Sequence, residues 1–450
     1  MSSNDLRRVI GFWGGTALIV GITIGSGIFR TPPTIARLVP DPVVIMTLWA
    51  AFGAISICGA LSAAELSSML PRTGGVYVFL REAFGDAAAF VFGWLYVLIT
   101  TPASIAALAT VFAEFLLNLF GVSGGVGTVQ MVAIAAIVSL TFANVLGARV
   151  GAGVSSVTTV VKVAALVAIV FGAFLLGDGS VSHLTARGSF EPSGLARAVA
   201  SVIWTYDGWI AVSMIAGEVV APERLMKRII ISGMLTITAL YIGANLAYFY
   251  MMPVQTLAMQ KEAVARTVMT SIAGPIGGTV ILLAMMTSVF GALNGNFLAY
   301  PRIAYAMARD GLTFAFLGKI HPRWSSPWPA VIIEGVLAIA LVLLLRDFDT
   351  LTTYFVVVQW AALIIAISAI FVLRRTMPEA RRPFRTPAYP WVPLGFVVGT
   401  AVGVAAIVWG EIEAGNYSPV YGLILAAAGF PVHHFWMRKR SSPEVGRAMG

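Results

Sequence analysis

Two charged side chains inside apolar stretches are the first candidates for chemistry. Asp207 belongs to the motif Tyr206-Asp207-Gly208-Trp209, and Lys162 lies within a long apolar segment. An Asp in the middle of a membrane helix costs about 2.5 to 3.5 kcal/mol on insertion scales, so such a residue is a functional candidate by default. We expect both side chains to face the protein interior, where polar groups compensate their charge.

Each charge also has a plainer explanation. Asp207 is a residue type that caps the helix following it. Lys162 can extend its long side chain to water at the membrane edge if its segment starts late. Under the functional interpretation, Lys162 is a fixed cation in the place of a sodium ion, or a group that loads and releases a proton.

A glycine-rich interruption near the N-terminus is the second feature. Gly25-Ser26-Gly27 breaks an apolar run with residues of little side-chain bulk. A helix unwound here exposes main-chain amides at the positive end of a helix dipole, and these suit a carboxylate. It also exposes main-chain carbonyl groups, and these suit an ammonium group. A zwitterionic amino acid offers both charges. The alternative is that the glycines only permit close helix packing.

The composition places these residues in a membrane protein. Hydrophobic residues make up 58% of the chain and charged residues 11%, and the mean hydropathy is +0.89, which leaves too little polar surface for a soluble protein. A membrane helix takes about 20 apolar residues. We predict twelve such spans, the first of them retained because no signal cleavage site follows it. Their approximate ranges are 9–38, 43–70, 87–120, 127–147, 152–177, 194–220, 228–252, 268–308, 329–346, 349–375, 390–412 and 417–437.

The positions of Lys and Arg predict the orientation of the chain. With the N-terminus inside, most of the 29 basic residues fall at cytoplasmic ends of the spans. The opposite side receives only Arg30, Arg37, Arg187, Arg197, Lys261, Arg266 and Arg346. This asymmetry predicts cytoplasmic N- and C-termini, with 441–450 as a short cytoplasmic tail. The net charge of +9 is therefore an orientation signal and does not indicate nucleic-acid binding, which needs a basic soluble face.

Other function classes fit the sequence less well. A channel needs a continuous polar lining, whereas the intramembrane polar residues are isolated points. These are Ser26, Lys162, Asp207, Ser288 and Asn294. An amino acid sensor needs a signalling domain, and an enzyme needs a nucleophile with its base or a metal cluster. The four histidines are scattered, so we expect no catalytic residues, no metal and no cofactor.

Five motifs in a fixed order resemble the amino acid-polyamine-organocation superfamily, and within it the bacterial L-type amino acid transporters. They extend over most of the chain, from the first span to about residue 440. The motifs are Gly25-Ser26-Gly27-Ile28-Phe29, Tyr206-Asp207-Gly208-Trp209, Gly217-Glu218-Val219-Val220-Ala221-Pro222-Glu223-Arg224, Asn294-Gly295 and Tyr305-Ala306-Met307-Ala308-Arg309-Asp310-Gly311.

The resemblance implies an all-α membrane fold of the LeuT-like type. Its five-plus-five inverted repeat has discontinuous first and sixth helices and two additional C-terminal helices. One domain then spans 1–440, with repeat one at about 9–177, repeat two at about 194–375 and the extra helices at about 390–437. The residues themselves also suggest a duplication, because a glycine-broken helix opens each half.

The resemblance also implies the site. Substrate-binding positions are Ile24, Gly25, Ser26, Gly27 and Ile28 in the first span, Trp204, Tyr206, Asp207 and Trp209 in the sixth, and Tyr241 in the seventh. Trp204 falls at the family's gating aromatic. Lys162 matches a lysine that replaces a sodium ion by bridging the first and eighth helices, the latter through Ser288. Transport would then be independent of sodium.

The resemblance predicts an antiporter of small to medium neutral L-amino acids in a bacterial inner membrane, working by alternating access. Proton symport is the close alternative, and Asp207 would suit a cationic substrate unless hydrogen bonds already engage it. Two departures, Ile210 after the second motif and Arg30 after the first, bear on side-chain specificity. The only cysteine, Cys58, lies in the second span, so we expect no disulfide-linked heavy subunit.

Overall fold

Helices form most of the part of the chain that the structure describes. The structure is a computed structural model that describes residues 6–122, 125–260, 263–344 and 348–441. The helices are α1 Phe12–Thr23, α2 Gly27–Leu38, α3 Pro42–Met69, α4 Val76–Phe84, α5 Asp86–Leu95, α6 Thr101–Leu119, α7 Val126–Val145, α8 Ala148–Leu176, α9 Pro192–Tyr206, α10 Ala211–Met214, α11 Pro222–Met251, α12 Val254–Ala258, α13 Val264–Ala299, α14 Pro301–Arg309, α15 Trp328–Leu344, α16 Phe348–Thr376, α17 Trp391–Glu413, α18 Ser418–Ala427 and α19 Gly429–Ser441.

Nine helical segments among these residues are long and apolar enough to cross a membrane. They correspond to nine of the twelve predicted spans. The predicted sixth span is divided between α9 and α10, the ninth is the 17-residue helix α15, and the twelfth is divided between α18 and α19. The predicted tail at 441–450 lies outside the described residues except for its first position.

Both predicted helix interruptions are present. The first separates α1 from α2 at residues 24–26, and the second separates α9 from α10 at residues 207–210. Gly208 makes the second break possible, because its φ of +105° favours glycine. A Cβ on Gly208 would lie 2.7 Å from Cγ2 of Ile22 and 3.2 Å from N of Thr23. The two breaks therefore touch each other.

Two further irregularities were not predicted. The chain from α5 to α6 passes through a π-helical turn, Tyr96–Thr100. Helix α13 contains non-helical dihedral angles at Ala273 and Gly274, next to Pro275. Proline removes a main-chain donor and clashes with the preceding turn, which accounts for this kink.

The broken helices lie at the centre of the fold. Helix α1 packs against α8, α11 and α13, and α2 packs against α9. At this second contact a Cβ on Gly27 would lie 2.5 Å from Oγ1 of Thr205, so glycine is needed for α2 to approach α9 so closely. Helix α1 is thus enclosed by the longer helices α8, α11 and α13.

Candidate functional site

One small cavity lies between the two helix breaks. Its volume is about 30 Å³, enough for about two water molecules. The lining residues come from α1 and α2, from α6, from α9 and the second break, and from the end of α13. They are Ile22, Thr23, Gly25, Ser26, Gly27, Ser104, Leu108, Trp204, Asp207, Asn296 and Tyr300.

The cavity brings together half of the ten predicted substrate-binding residues. Gly25, Ser26, Gly27, Trp204 and Asp207 border it, and they come from both breaks. A serine and an aspartate that are 181 positions apart in the sequence thus share one space.

The other five predicted residues do not line the cavity. Ile24 and Ile28 are fully buried beside it. Tyr206 donates a hydrogen bond from its hydroxyl to the carbonyl O of Trp49, at 3.0 Å. Trp209 packs edge-on against Phe396, with ring centroids 5.8 Å apart. The aromatic side chains flanking Asp207 therefore contact the surrounding protein, and their contact with substrate stays a prediction.

Tyr241 connects the two breaks instead of bordering the cavity. Its buried hydroxyl lies 2.7 Å from the carbonyl O of Thr23, at the end of α1, and 2.9 Å from that of Thr205, near the end of α9. Both carbonyls belong to last helical turns, which lack intrahelical donors. Tyr241 thereby joins the ends of α1 and α9 and does not line the cavity.

Lys162 occupies the interior of the bundle. Its side chain is fully buried, so the alternative of a lysine extended to water is wrong for this structure. The ammonium nitrogen donates to three main-chain carbonyls, those of Gly21 and Ile24 at 2.7 Å and that of Ser288 at 2.9 Å. Three donors thereby meet three acceptors.

Ser288 reinforces this arrangement. Its main-chain oxygen accepts from Lys162, and its hydroxyl lies 2.9 Å from the carbonyl O of Ile24 and 3.3 Å from that of Gly25. Helix α13 is therefore tied to the unwound end of α1 by both the main chain and the side chain of one residue. Removal of the ammonium would leave α1 carbonyls without their charged donor.

Asp207 accepts a hydrogen bond from the indole Nε1 of Trp360, on α16, at 3.0 Å. No side chain caps the N-terminus of α10, so the capping explanation of Asp207 does not hold in the described structure. The carboxylate instead has a fixed partner on a neighbouring helix and also borders the cavity.

Two hydroxyl groups in the cavity wall lack hydrogen-bond partners among the described residues. These are Oγ of Ser26 and Oγ1 of Thr23, and both are buried. Ser26 precedes α2 as its N-cap residue without capping it. A buried polar group without a partner costs about 1–3 kcal/mol. Both groups are thus available to a polar ligand in the cavity.

A larger vestibule of about 940 Å³ lies on the far side of Trp204, which borders both spaces. The Trp204 ring packs edge-on against Phe355 of α16, with centroids 5.1 Å apart. It therefore lies between the vestibule and the small cavity, and its role as a gate stays a prediction.

A buried ion pair joins α14 to the segment that follows α10. Arg302 on α14 contacts Glu218 through two nitrogen–oxygen distances of 2.7 and 3.2 Å. The carbonyl O of Glu218 also accepts from the amides of Val9 and Ile10, at 2.9 and 3.0 Å. The segment before α1 is thereby fastened beneath the second break.

Several residues of the cavity were missed from the sequence. Ser104 on α6 and Asn296 on α13 lie 3.2 Å apart, oxygen to oxygen, and Tyr300 follows at the end of α13. Asn296 could have been identified as a candidate from the sequence, because it is a second side-chain amide two positions after Asn294. Nothing in the sequence distinguishes Ser104 and Tyr300, since isolated residues of these types are common in membrane helices.

The sequence matches the family described as amino acid permease over residues 10–430. It is 30% identical to the serine/threonine exchanger SteT of Bacillus subtilis, in an alignment that covers 98% of this chain and 99% of the relative. It is also 30% identical to the human b(0,+)-type amino acid transporter 1, over 98% of this chain and 92% of the relative. The human cystine/glutamate transporter is 27% identical over 99% of this chain and 88% of its own length.

Proposed function

The chain belongs to the amino acid permease family, and from that premise we propose that it is a sodium-independent exchanger of small to medium neutral L-amino acids. Membership makes the chain a multi-pass membrane protein of amino acid transport and not an enzyme. The observation that carries the proposal is that both helix breaks border one cavity.

The substrate's two charged groups bind at the breaks. Its carboxylate lies at the N-terminus of α2, where helix amides and the unpartnered hydroxyl of Ser26 point to a negative group. Its ammonium group lies against the carbonyl ends of α1 and α9, which carry the negative end of each helix dipole. This division of charge follows from the direction of the two interrupted helices.

A neutral side chain is favoured over a cationic one because Asp207 already accepts from Trp360. The cavity of about 30 Å³ holds about two water molecules, so its walls must move apart for any amino acid to bind. A small neutral side chain agrees with the relative from Bacillus subtilis, which is named for exchange of serine and threonine. Trp204 must move for substrate to pass from the vestibule to the cavity.

Independence of sodium rests on Lys162. Its ammonium group satisfies carbonyls of α1 and α13 simultaneously, as a bound cation would. Alternating access then consists of rocking the helices that carry the breaks against those that enclose them.

The wider architecture belongs to the same proposal. The chain has twelve spans with a five-plus-five inverted repeat, one domain over 1–440, and cytoplasmic termini in a bacterial inner membrane. It works without a disulfide-linked heavy subunit. The burial of Arg302 and Glu218 on the side predicted to be cytoplasmic, together with the vestibule on the other, corresponds to an outward-directed conformation.

Counterflow in proteoliposomes tests the function. Vesicles loaded with unlabelled L-serine should take up labelled L-serine several times faster than empty vesicles, at equal rates in sodium and in choline. Uptake that needs an inward proton gradient, and no internal amino acid, would replace exchange by proton symport. Absence of uptake for a panel of neutral amino acids would overturn the proposal.

Ser26→Ala tests the site. The variant loses no hydrogen bond found among the described residues, so its thermal stability should stay at the wild-type value. The KM for L-serine should rise by about tenfold, because one hydrogen bond to a charged group contributes about 1.5 kcal/mol. Ser62→Ala is the matched control, since the hydroxyl of Ser62 donates within α3 to Cys58. An unchanged KM in Ser26→Ala would exclude the hydroxyl from binding.

A further inference from the structure

The vestibule beyond Trp204 has an excess of positive charge. Its wall contains four arginines and two glutamates among the described residues. The arginines are Arg30, Arg37, Arg197 and Arg266, and the glutamates are Glu114 and Glu411. A water-filled cleft of one sign between low-dielectric walls concentrates ions of the other sign.

Both glutamates contact arginines. Arg30 on α2 and Glu114 on α6 are 2.6 Å apart, and Arg197 on α9 and Glu411 on α17 are 3.5 Å apart. These pairs join helices on different sides of the vestibule and offset each other's charge. Arg37 is in contact with neither of these glutamates.

Arg37 is the arginine best placed to meet an arriving solute. Its side chain is exposed at the end of α2. One terminal nitrogen donates to the carbonyl O of Ala258 at 3.2 Å, and the other to Oγ1 of Thr34 at 3.0 Å. A guanidinium group has five N–H donors, so three remain without a partner in the described parts of the chain. The two hydrogen bonds hold the plane of the group in place.

We propose that the vestibule is an outer docking site for the α-carboxylate of the incoming amino acid, with Arg37 as its main contact, and that it favours zwitterionic and anionic amino acids over cationic ones. The inference rests on the proposed transport function and deepens it. A carboxylate fits the planar N–H fork of arginine in two parallel hydrogen bonds. A second positive charge on the substrate side chain is repelled by the same field.

Exchange of labelled L-serine in proteoliposomes tests the proposal through Arg37→Gln. Loss of one charge in a hydrated cleft should raise the KM for L-serine by roughly three- to tenfold and leave kcat little changed. L-Lysine should compete better in this variant than in the wild type, and L-glutamate should compete less well. Arg37→Lys keeps the charge and should retain most of the wild-type preference against lysine.

Arg187→Gln is the matched control. Arg187 is an exposed arginine predicted on the same membrane side, 3.6 Å from Asp41 and outside the vestibule wall. It should leave both KM and competition unchanged. The wild type gives a second measurement: from low to high salt, competition by L-glutamate should weaken and competition by L-lysine should strengthen.

Equal KM values in Arg37→Gln and the wild type, with unaltered competition by lysine and glutamate, would overturn the docking site. The same holds if Arg187→Gln produces the same shift as Arg37→Gln, since the effect would then come from general surface charge. Either result leaves wild-type exchange intact. Failure of the transport function itself is distinguishable, because the wild type would then exchange no amino acid.

Discussion

Replacing Lys162 by alanine should cut transport severely while leaving the protein folded. The substitution removes the charged donor from the carbonyls of Gly21, Ile24 and Ser288. Leaving a buried carbonyl without a donor costs about 1–3 kcal/mol. The Ile24 carbonyl keeps the hydroxyl of Ser288, and the variant no longer buries an ammonium group, so part of the loss is offset.

If the substitution removes about 3 kcal/mol of stabilisation from the first break, the fraction of molecules in which the end of α1 is unwound falls by about 100-fold. We therefore expect L-serine counterflow in Lys162→Ala at about 1% of the wild-type rate. The thermal unfolding midpoint in detergent should fall by only a few degrees, because the longer helices around the break keep their contacts.

Lys319→Ala is the control, since Lys319 is an exposed lysine outside the bundle core. It should exchange L-serine like the wild type. Lys162→Ala at wild-type rates would refute the argument that this ammonium group holds the break. Restoration of Lys162→Ala by sodium, but not by choline, would further support the interpretation of Lys162 as a tethered cation.

Two other predictions follow from single side chains. Trp204→Ala joins the vestibule to the cavity and removes the contact with Phe355. Larger neutral amino acids such as L-leucine should therefore begin to compete with L-serine. The KM for L-serine should rise by about tenfold, because an aromatic contact is lost. Trp204→Phe should stay close to the wild type, and equal competition by L-leucine in all three proteins would argue against a gate. Glu334 on α15 is fully buried, with both carboxyl oxygens unpartnered among the described residues, so Glu334→Leu should raise the free energy of unfolding by about 1–3 kcal/mol. A lower melting temperature, or loss of exchange, would show that the Glu334 carboxyl has a partner or a task in transport.

The sequence located the helix breaks because the physical signal there is strong. Glycines and an aspartate inside apolar runs are costly in a membrane unless the chain unwinds, and Gly25 and Asp207 are such residues. Lys162 was equally visible, since a buried ammonium group must find acceptors. In both cases, a residue of this type within a membrane span allows only a few local structures.

The directions of side chains at the breaks could not be predicted in the same way. Helical periodicity tells which residues share a face, but an unwound segment has no fixed period. Tyr206 and Trp209 flank Asp207 in the sequence, yet only the aspartate borders the cavity. Ser104 and Asn296 reach the cavity from α6 and α13, and their meeting depends on how distant helices pack, which a single sequence does not encode locally.

The attachment of Lys162 to the main chain has a consequence for cellular energetics. A sodium ion bound between two helices can leave into either solution and so draw on an electrochemical gradient. In the proposed exchange, an ammonium group on a covalent tether stays with the protein and carries no charge from one compartment to the other. A carrier built in this way equalises the ratios of its substrates across the membrane, and the cell sets the direction of flow through the amino acids that it synthesises or consumes.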